Sequence, residues 1–412
     1  MTAATTPTPP TPPSPSTSPK PTTASRLGRR AFLGGLGTAA LTAGVTWASM
    51  STGVAGSASA RRPPEDLSPG GAFDRFVAEL AAQDRFSGTV LLAHRGKPVL
   101  TRTYGMADRQ RQIPNRPDTV FNLASVTKCL TGLAVGQLAA EGKVTMDAKL
   151  GTYVGGFPTD IANATVHQLL THTSGVGRPA LGGGMPPTWN SVDETVDGTL
   201  AIIKATPLQF APGSRFAYSN DGYWVLGAVI AEVSGMSYFD YVRRRIFAPA
   251  GMTRSDFHTK PEVLARTDIA RPYWTQRNGE RVDFTTTPIF GFTGGPDGGA
   301  YSTAADLLRF ALAVDAGTLL DPAYAELVTT AKQPVPPRPG SPADEREFAG
   351  YGFHEFIVRE RRVHGHPGSG PGTATNLDVH ADDGWVAVVL GNYDTGVTDI
   401  VRRERQILTG DR

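Results

Sequence analysis

The chain has little cysteine, little lysine and no excess of charge of one sign. Its single cysteine among 412 residues excludes an intrachain disulfide and any zinc site built from several thiolates. Its 40 Lys and Arg nearly balance 38 Asp and Glu, so composition gives no electrostatic case for a nucleic-acid partner. Only 8 of those 40 cations are lysines, which makes a lysine in a distinctive position informative.

The first sixty residues are not expected to belong to the fold. Residues 1–26 contain 8 Pro, 8 Thr and 4 Ser, a composition that predicts disorder. Residues 27–60 begin with Leu27-Gly28-Arg29-Arg30-Ala31-Phe32-Leu33, carry no charge from Ala31 onward and end in Ala58-Ser59-Ala60. This pattern predicts a twin-arginine-type export signal, and therefore a secreted or cell-envelope protein. The alternative is an uncleaved membrane anchor.

The folded domain is predicted to span residues 72–412, after a linker at 61–71. Strands are predicted near both of its ends and mostly helices between them. The simplest architecture is an α+β fold, in which both chain ends build an antiparallel sheet flanked by helices and a mostly helical domain is inserted. The sheet subdomain is expected at about 72–122 and 290–412, and the helical subdomain at about 123–289. The clearest predicted strands cover 88–94, 98–104, 352–358, 374–379 and 385–391.

The strongest predicted helix covers residues 124–141, with Gly142 placed to end it. Ser125 and Lys128 stand at its start. Because positions three apart share a helix face, the Lys128 amine should come within hydrogen-bond reach of the Ser125 hydroxyl. A neutral lysine can take the serine proton and so make the oxygen a nucleophile, whereas an arginine cannot. For this pair alone, a solvated helix face is the alternative. The predicted apolar face of the helix consists of Val126, Leu130, Leu133, Ala134 and Leu138.

A second motif, Tyr218-Ser219-Asn220, precedes a predicted helix at 222–233. A tyrosine and an asparagine two residues apart in an irregular turn can point into one cleft. The tyrosine can relay a proton, and the amide of Asn220 can orient the lysine and hold a substrate carbonyl. The alternative for Asn220 is an N-terminal cap of the helix.

A third motif, His366-Pro367-Gly368-Ser369, lies in a glycine-rich segment that resembles a strand edge. Glycine there lets a substrate backbone lie close, and the amides of Ser125 and Ser369 are candidates for an oxyanion hole. A flexible turn is the alternative. His364 and His366 alternate on this strand, but no third ligand suggests itself, so no metal is expected. His172 is expected to form a hydrogen bond within its own loop.

Together the three motifs resemble the penicillin-recognising serine hydrolases, which include serine β-lactamases, D-alanyl-D-alanine carboxypeptidases and esterases with the β-lactamase fold. The order Ser-x-x-Lys, Tyr-x-Asn, His-x-Gly is similar to the branch nearest class C. The resemblance implies an acyl-enzyme mechanism in which Ser125 attacks while Lys128 and Tyr218 move protons. The implied substrate-binding residues are Asn220, His366, Gly368 and Ser369. No cofactor is implied.

Departures from that family narrow the expected substrate. Class C enzymes carry Lys-Thr-Gly where this chain has His366-Pro367-Gly368, so a hydroxyl that helps to hold a substrate carboxylate is missing. We therefore expect a hydrolase of a D-Ala-D-Ala-type peptide or amide, or of an ester. A true β-lactamase and a binding protein without turnover are the alternatives. The expected partner is a small molecule or a peptide, including cell-wall peptide, and the expected state is a monomer.

Overall fold

The computed structural model describes residues 65–177, 188–337 and 340–410. The predicted disordered segment and export signal lie outside the described residues. Within the described part of the chain, no helix combines the length and the apolar character needed to cross a membrane.

The described residues form an α+β fold. The strands are β1 Gly88–His94, β2 Lys97–Tyr104, β3 Met106–Asp108, β4 Ile113–Pro114, β5 Phe121–Asn122, β6 Tyr273–Thr275, β7 Arg281–Asp283, β8 Tyr301–Ser302, β9 Gln333–Pro334, β10 Glu345–Ala349, β11 His354–Val358, β12 Arg361–Gly370, β13 Thr373–His380 and β14 Trp385–Gly391. The helices are α1 Ala72–Ala82, α2 Thr127–Ala140, α3 Thr159–Ala162, α4 Val166–Leu170, α5 Val192–Ala205, α6 Asn220–Ser234, α7 Tyr238–Val242, α8 Lys260–Ala265, α9 Ala304–Asp315, α10 Pro322–Thr329 and α11 Val397–Thr409.

Both ends of the folded region meet in one antiparallel sheet, as predicted. In the described residues it has eight strands in the order β2-β1-β14-β13-β12-β11-β10-β9. The β1–β2 hairpin turns at Arg95 and Gly96, whose φ angles of 49° and 76° give the left-handed turn that matches the twist of the paired strands. The predicted α+β class with an antiparallel sheet flanked by helices is confirmed.

The central strands are buried on both faces because helices cover each side of the sheet. In β1, Val90 and Leu92 pack in one core with α1 and α11, whereas Leu91 and Ala93 pack in a second, larger core with α2 and α6. This alternation follows from the two-residue period of a strand. It explains why β1 is a nearly continuous apolar run.

Helix α2 is more deeply buried than the sequence predicts. Every residue from Thr127 to Ala139 is buried, so the helix has no solvent face. Glycine permits this close packing, since a Cβ on Gly132 would fall on the carbonyl of Tyr351 and one on Gly136 would lie 2.8 Å from the Val328 side chain. The N-terminal end of α2 is thereby fixed between the sheet and the helical region.

Candidate active site

Ser125 lies in a single 3₁₀ turn, Ala124–Val126, that leads directly into α2. Ala124 adopts a φ of 44°, a left-handed conformation that costs a non-glycine residue about 1–3 kcal/mol. Neighbouring groups hold it there: its amide donates to Asn122 Oδ1 at 2.8 Å, and its carbonyl accepts from Thr127 Oγ1 at 2.7 Å. The serine is therefore presented at a strained corner that the surrounding structure enforces.

The Lys128 side chain is fully buried and contacts three acceptors. Its Nζ atom lies 3.3 Å from Ser125 Oγ, 2.8 Å from Asn220 Oδ1 and 2.5 Å from the carbonyl oxygen of Asp297. A neutral amine has two hydrogens and one lone pair. The amide oxygen and the carbonyl oxygen can only accept, so in the neutral form of Lys128 they would take the two hydrogens and the lone pair would face the Ser125 hydroxyl. In the ammonium form, all three oxygens accept from Nζ.

The carbonyl of Asp297 is a component of the site that the sequence did not reveal. Its loop is anchored to α2, because Thr131 Oγ1 donates to the Pro296 carbonyl at 2.6 Å and the Ala300 amide donates to Thr127 Oγ1 at 3.1 Å. A backbone acceptor can come from any residue type, so no motif marks it. The glycines that flank the loop were the one available signal.

Asn220 is the first residue of α6, and the capping role considered for it belongs to its neighbour. Ser219 is the N-cap, since its Oγ accepts from the Gly222 amide at 2.9 Å. The Asn220 side chain is thereby free to contact Lys128.

Tyr218 stands at the mouth of the site, with 41% of its surface exposed. Lys128 Nζ lies 4.8 Å from the centre of its ring, and the ring stacks on buried His172 at 4.4 Å between centroids. His172 Nδ1 accepts from the Ser219 amide at 3.0 Å, so the expectation that this histidine bonds within its own loop is wrong. It fixes the Tyr218 segment instead. Within the described part of the chain, the Tyr218 hydroxyl forms no hydrogen bond.

The third motif lies on β12, where the strand leaves its neighbour β11. The β11 pairing ends at Gly365, whereas the β13 pairing continues to Gly370. Pro367 and Ser369 therefore lie on a stretch with a partner on one side and the cleft on the other, which is a position that tolerates proline. Gly368 is required for packing, since a Cβ there would lie 2.5 Å from the Leu123 carbonyl and would fall on Thr375 Oγ1.

These motifs enclose a cleft of about 470 Å³. Its lining consists of Ser125, Phe216, Ala217, Tyr218, Asn220, Val335, Pro336, His354, His366, Pro367 and Ser369. Among the described residues, this lining contains no lysine, arginine or carboxylate. The predicted site residues Ser125, Tyr218, Asn220, His366 and Ser369 meet in it, with Lys128 and Gly368 directly behind. Phe216, Val335 and His354 are wall residues that the sequence did not indicate.

Two histidines at the site, His172 and His366, are held in the neutral form. Burial, and then the charge of Lys128, lowers the pKa of His172 well below its ordinary value. Burial, and then the neighbouring His354, does the same to the pKa of His366. A neutral His366 cannot supply the positive charge that a substrate carboxylate would need in this cleft.

Comparison with known proteins places the chain in a family. Residues 73–411 match the model of the Beta-lactamase family, and the chain belongs to that family. It is 32% identical to esterase EstB of Burkholderia gladioli over 265 residues. The aligned region covers 57% of this chain and 67% of that protein. The match spans 70% of the length of penicillin-binding protein 4* of Bacillus subtilis and 34% of that of protein flp of Staphylococcus aureus.

Solved structures share the fold. A penicillin-binding protein from Bacillus halodurans superposes with a TM-score of 0.67 at 27% identity, covering 80% of this chain and 98% of that one. A D-stereospecific amidohydrolase from Streptomyces sp. superposes with a TM-score of 0.64 at 25% identity, covering 81% and 98%. The chain therefore has the β-lactamase/transpeptidase-like fold and is a member of a serine hydrolase family with esterase, amidase and penicillin-binding relatives.

Proposed function

We propose that this chain is an exported serine hydrolase that cleaves ester or amide bonds through an acyl-enzyme on Ser125. We propose further that its preferred substrates carry no carboxylate beside the scissile bond. The lining of the cleft supports this preference, because the described residues that form it include no lysine and no arginine. Carboxylates are usually recognised by arginine or lysine through charge-assisted hydrogen bonds.

The geometry supports the following sequence of steps. The Ser125 oxygen attacks the substrate carbonyl while its proton passes to the Lys128 lone pair across 3.3 Å. The amides of Ser125 and Ser369 stabilise the oxyanion, and the leaving group takes a proton from Lys128 directly or through Tyr218. Water then attacks the acyl-enzyme by the reverse proton path. In this proposal Lys128 is the base, because it is hydrogen-bonded to Ser125 and Tyr218 is not.

Relatives support both bond types. The printed names of the relatives, an esterase and an amidohydrolase, favour esters and amides. A carboxypeptidase acting on D-Ala-D-Ala-type peptides is the second candidate, favoured by the likeness to a penicillin-binding protein. Pro367 and the neutral His366 make this candidate and a true β-lactamase less suited to the cleft than a hydrolase of uncharged substrates.

A matched substrate panel tests the proposal. The purified chain would be given a neutral p-nitrophenyl ester, a D-Ala-D-Ala peptide with a free carboxylate, the same peptide with a C-terminal amide, and a chromogenic cephalosporin. We expect kcat/KM for the amidated peptide to exceed that for the free acid by at least about tenfold, which is the scale of one interaction with a charged group. A preference for the free acid or for the cephalosporin would overturn the proposal.

Labelling separates an active enzyme from a binding protein with the same fold. A fluorophosphonate should attach to Ser125 and to no other serine, and Ser125→Ala should remove both labelling and turnover. An adduct on Ser174, Ser219 or Ser369, or no adduct at all, would contradict the assignment.

We also propose that the protein is exported, and that it is a monomer that binds no nucleic acid. Replacing Arg29 and Arg30 by lysine should retain the protein inside the cell, because the twin-arginine signal requires that pair. Normal export of this double variant would argue against that route.

A further inference from the structure

A second cavity adjoins the catalytic residues. Its volume is about 650 Å³, within the range of small-molecule sites. Its described lining consists of Thr188, Trp189, Asn190, Thr195, Thr199, Trp224, Lys260, Pro261, Leu264, Pro288, Ile289, Phe290, Gly291, Phe292, Thr293, Gly294, Gly295, Asp297 and Gly298. Four of these residues are aromatic. The proposed reaction uses only the Asp297 carbonyl, so its steps do not account for the four rings.

The wall formed by Asp297 and Gly298 brings this cavity next to the nucleophile. The Asp297 carbonyl accepts from Lys128 Nζ at 2.5 Å. A Cβ on Gly298 would lie 3.9 Å from the amide nitrogen of Ser125, which is one of the two proposed oxyanion donors. Because Gly298 has no side chain, space remains at this point for a group attached to the carbonyl carbon that Ser125 attacks.

The two tryptophans of the cavity are held in place by glycines. A Cβ on Gly198 of α5 would fall on the indole of Trp189, and one on Gly295 would fall on the indole of Trp224. Trp224 is only 8% exposed and lies one helical turn after Asn220 on α6. Both indoles are therefore fixed surfaces close to the residues that orient Lys128.

Phe290 adds a partly exposed ring to the same cavity. Its loop is tied to the start of α8, since the Lys260 amide donates to the Phe292 carbonyl at 2.6 Å and Lys260 Nζ donates to the Thr287 carbonyl at 3.0 Å. The Phe290 ring also packs edge-on against Phe284, with 5.7 Å between centroids. The loop thus presents an aromatic face that is in place before any ligand binds.

The path of the proton decides which part of the substrate can use this cavity. In the proposed reaction the leaving group takes a proton from Lys128 directly or through Tyr218, and Tyr218 lines the first cleft but not the second cavity. The leaving group is therefore expected in the first cleft. The acyl group stays on Ser125 and is left with the space beyond Gly298.

We propose that the second cavity binds the acyl part of the substrate and that this part carries an aromatic ring. Aromatic rings pack favourably against other rings in offset or edge-to-face arrangements, and Trp189, Trp224 and Phe290 offer such surfaces. This inference rests on the proposed function, since it names the substrate class of the same site.

Two isomeric esters test on which side of the scissile bond the ring binds. Ethyl hydrocinnamate carries a phenyl ring on its acyl group, and phenethyl propionate carries the same ring, at the same distance from the ester, on its alcohol. We expect kcat/KM of the full chain for ethyl hydrocinnamate to exceed that for phenethyl propionate by at least about tenfold, the scale of burying one aromatic side chain. Equal values, or a preference for phenethyl propionate, would overturn the proposal.

Variants of the cavity wall assign that preference to its residues. Phe290→Ala and Trp189→Leu should each lower the ratio of the two kcat/KM values by about fivefold or more, because each removes a ring that the substrate ring contacts. The matched control is Phe76→Ala, since Phe76 is also partly buried but packs in the core formed with α1 and α11. A ratio that both wall variants retain, or that the control lowers equally, would overturn the assignment.

Nuclear magnetic resonance of nitrogen-labelled indoles tests binding without turnover. In the full chain carrying Ser125→Ala, hydrocinnamamide should shift the signals of Trp189 and Trp224. The signals of Trp274 and Trp385, which do not line the cavity, should stay in place. Propionamide, which lacks the ring, should shift none of the four. The absence of a shift with hydrocinnamamide, or equal shifts with propionamide, would overturn the proposal. Should the parent chain hydrolyse no ester or amide, the proposed function fails, while the indole signals still decide whether the cavity takes an aromatic group.

Discussion

Lys128 Nζ lies 2.8 Å from Asn220 Oδ1, a contact that joins the first turn of α2 to the first residue of α6 across 92 residues of chain. Together with the Asp297 carbonyl, this amide oxygen accepts from Nζ, so in a neutral amine the lone pair would be left for Ser125. The orientation of the base is therefore determined by elements outside the helix that carries it.

Replacing Lys128 by arginine tests whether the lysine must lose its proton. Arginine keeps the charge and several donors but is never deprotonated in proteins. We expect Lys128→Arg to reduce acylation by about 10²–10⁴-fold, the usual contribution of a general base, and to be nearly as damaging as Lys128→Ala. The rate of the p-nitrophenol burst measures acylation. An arginine variant that retained more than a tenth of it would make Lys128 an electrostatic support and Tyr218 the better candidate for the base.

Changing Asn220 to aspartate tests the same relationship through pH. A carboxylate at this distance stabilises the ammonium form of the lysine, so Asn220→Asp should slow acylation at neutral pH and regain part of the rate as pH rises. Asn220→Ala removes the orienting oxygen without adding charge, so its rate should be low at every pH. Parallel pH profiles for the two variants would contradict this role of the amide.

Gly368 and Gly370 form a natural pair of test and control on β12. A Cβ at Gly368 would lie 2.5 Å from the Leu123 carbonyl, whereas a Cβ at Gly370 would meet nothing within 4 Å. Gly368→Ala should push the strand away from the nucleophile turn, with a loss of about 1–3 kcal/mol in unfolding free energy and a clear fall in kcat. Gly370→Ala should stay within about 0.5 kcal/mol. Denaturant unfolding measures the stability of each variant, and ester turnover measures its kcat. Equal effects of the two substitutions would refute the packing argument.

The sequence predicted the parts of this molecule that depend on local patterns. Strands β1 and β14 have their predicted bounds, because each is a short apolar run bounded by glycine or a turn. Ser125, Lys128, Tyr218 and Asn220 were found because a motif fixes their residue types, and the structure brings them together. The roles assigned to them remain predictions.

What escaped the sequence depends on pairing between distant segments. The Asp297 carbonyl carries no residue signature. The contact between Glu347 and His354 arises only when β10 and β11 align, with Glu347 opposite Phe356, and nothing local sets that register. The burial of α2 on all sides was missed for the same reason, since its second set of contacts comes from segments such as Tyr351, far along the chain.

A buried pair beside α11 predicts how stability depends on pH. His380 Nε2 lies 2.7 Å from Glu404 Oε1. Burial disfavours the imidazolium, but the carboxylates of Glu404 and Asp378 together outweigh it and raise the pKa of His380. A raised pKa means that this contribution to stability is complete below about pH 6.5, the unfolded value, and is lost as pH rises through the folded value. Unfolding free energy should therefore fall as pH rises above about 6.5.

The variant Glu404→Gln isolates this contribution. It removes the charge that raises the pKa of His380, so the decline of unfolding free energy with pH should become shallower. His380→Ala leaves a buried carboxylate without its partner and should cost about 3–5 kcal/mol. Guanidinium denaturation at two pH values checks both, and an unchanged pH slope in Glu404→Gln would show that the dependence arises elsewhere.

Pro367 provides the most direct test of why the cleft should disfavour carboxylates. It lines the cleft beside His366 and Ser369, on the stretch of β12 that has no β11 partner. Pro367→Thr restores both a backbone donor and a hydroxyl at this edge. If the missing donors limit binding of acids, the variant should raise kcat/KM for the free-acid peptide relative to kcat/KM for its amide. The corresponding gain in transition-state binding is about 1–2 kcal/mol, the scale of one added hydrogen bond to a charged group. At 1.4 kcal/mol per factor of ten, this is a gain of about 5- to 30-fold. The neutral ester serves as the internal reference, because it presents no carboxylate and should respond little. An unchanged ratio would place the discrimination in the absence of a cation, and His366→Lys would then be the change that restores acid binding.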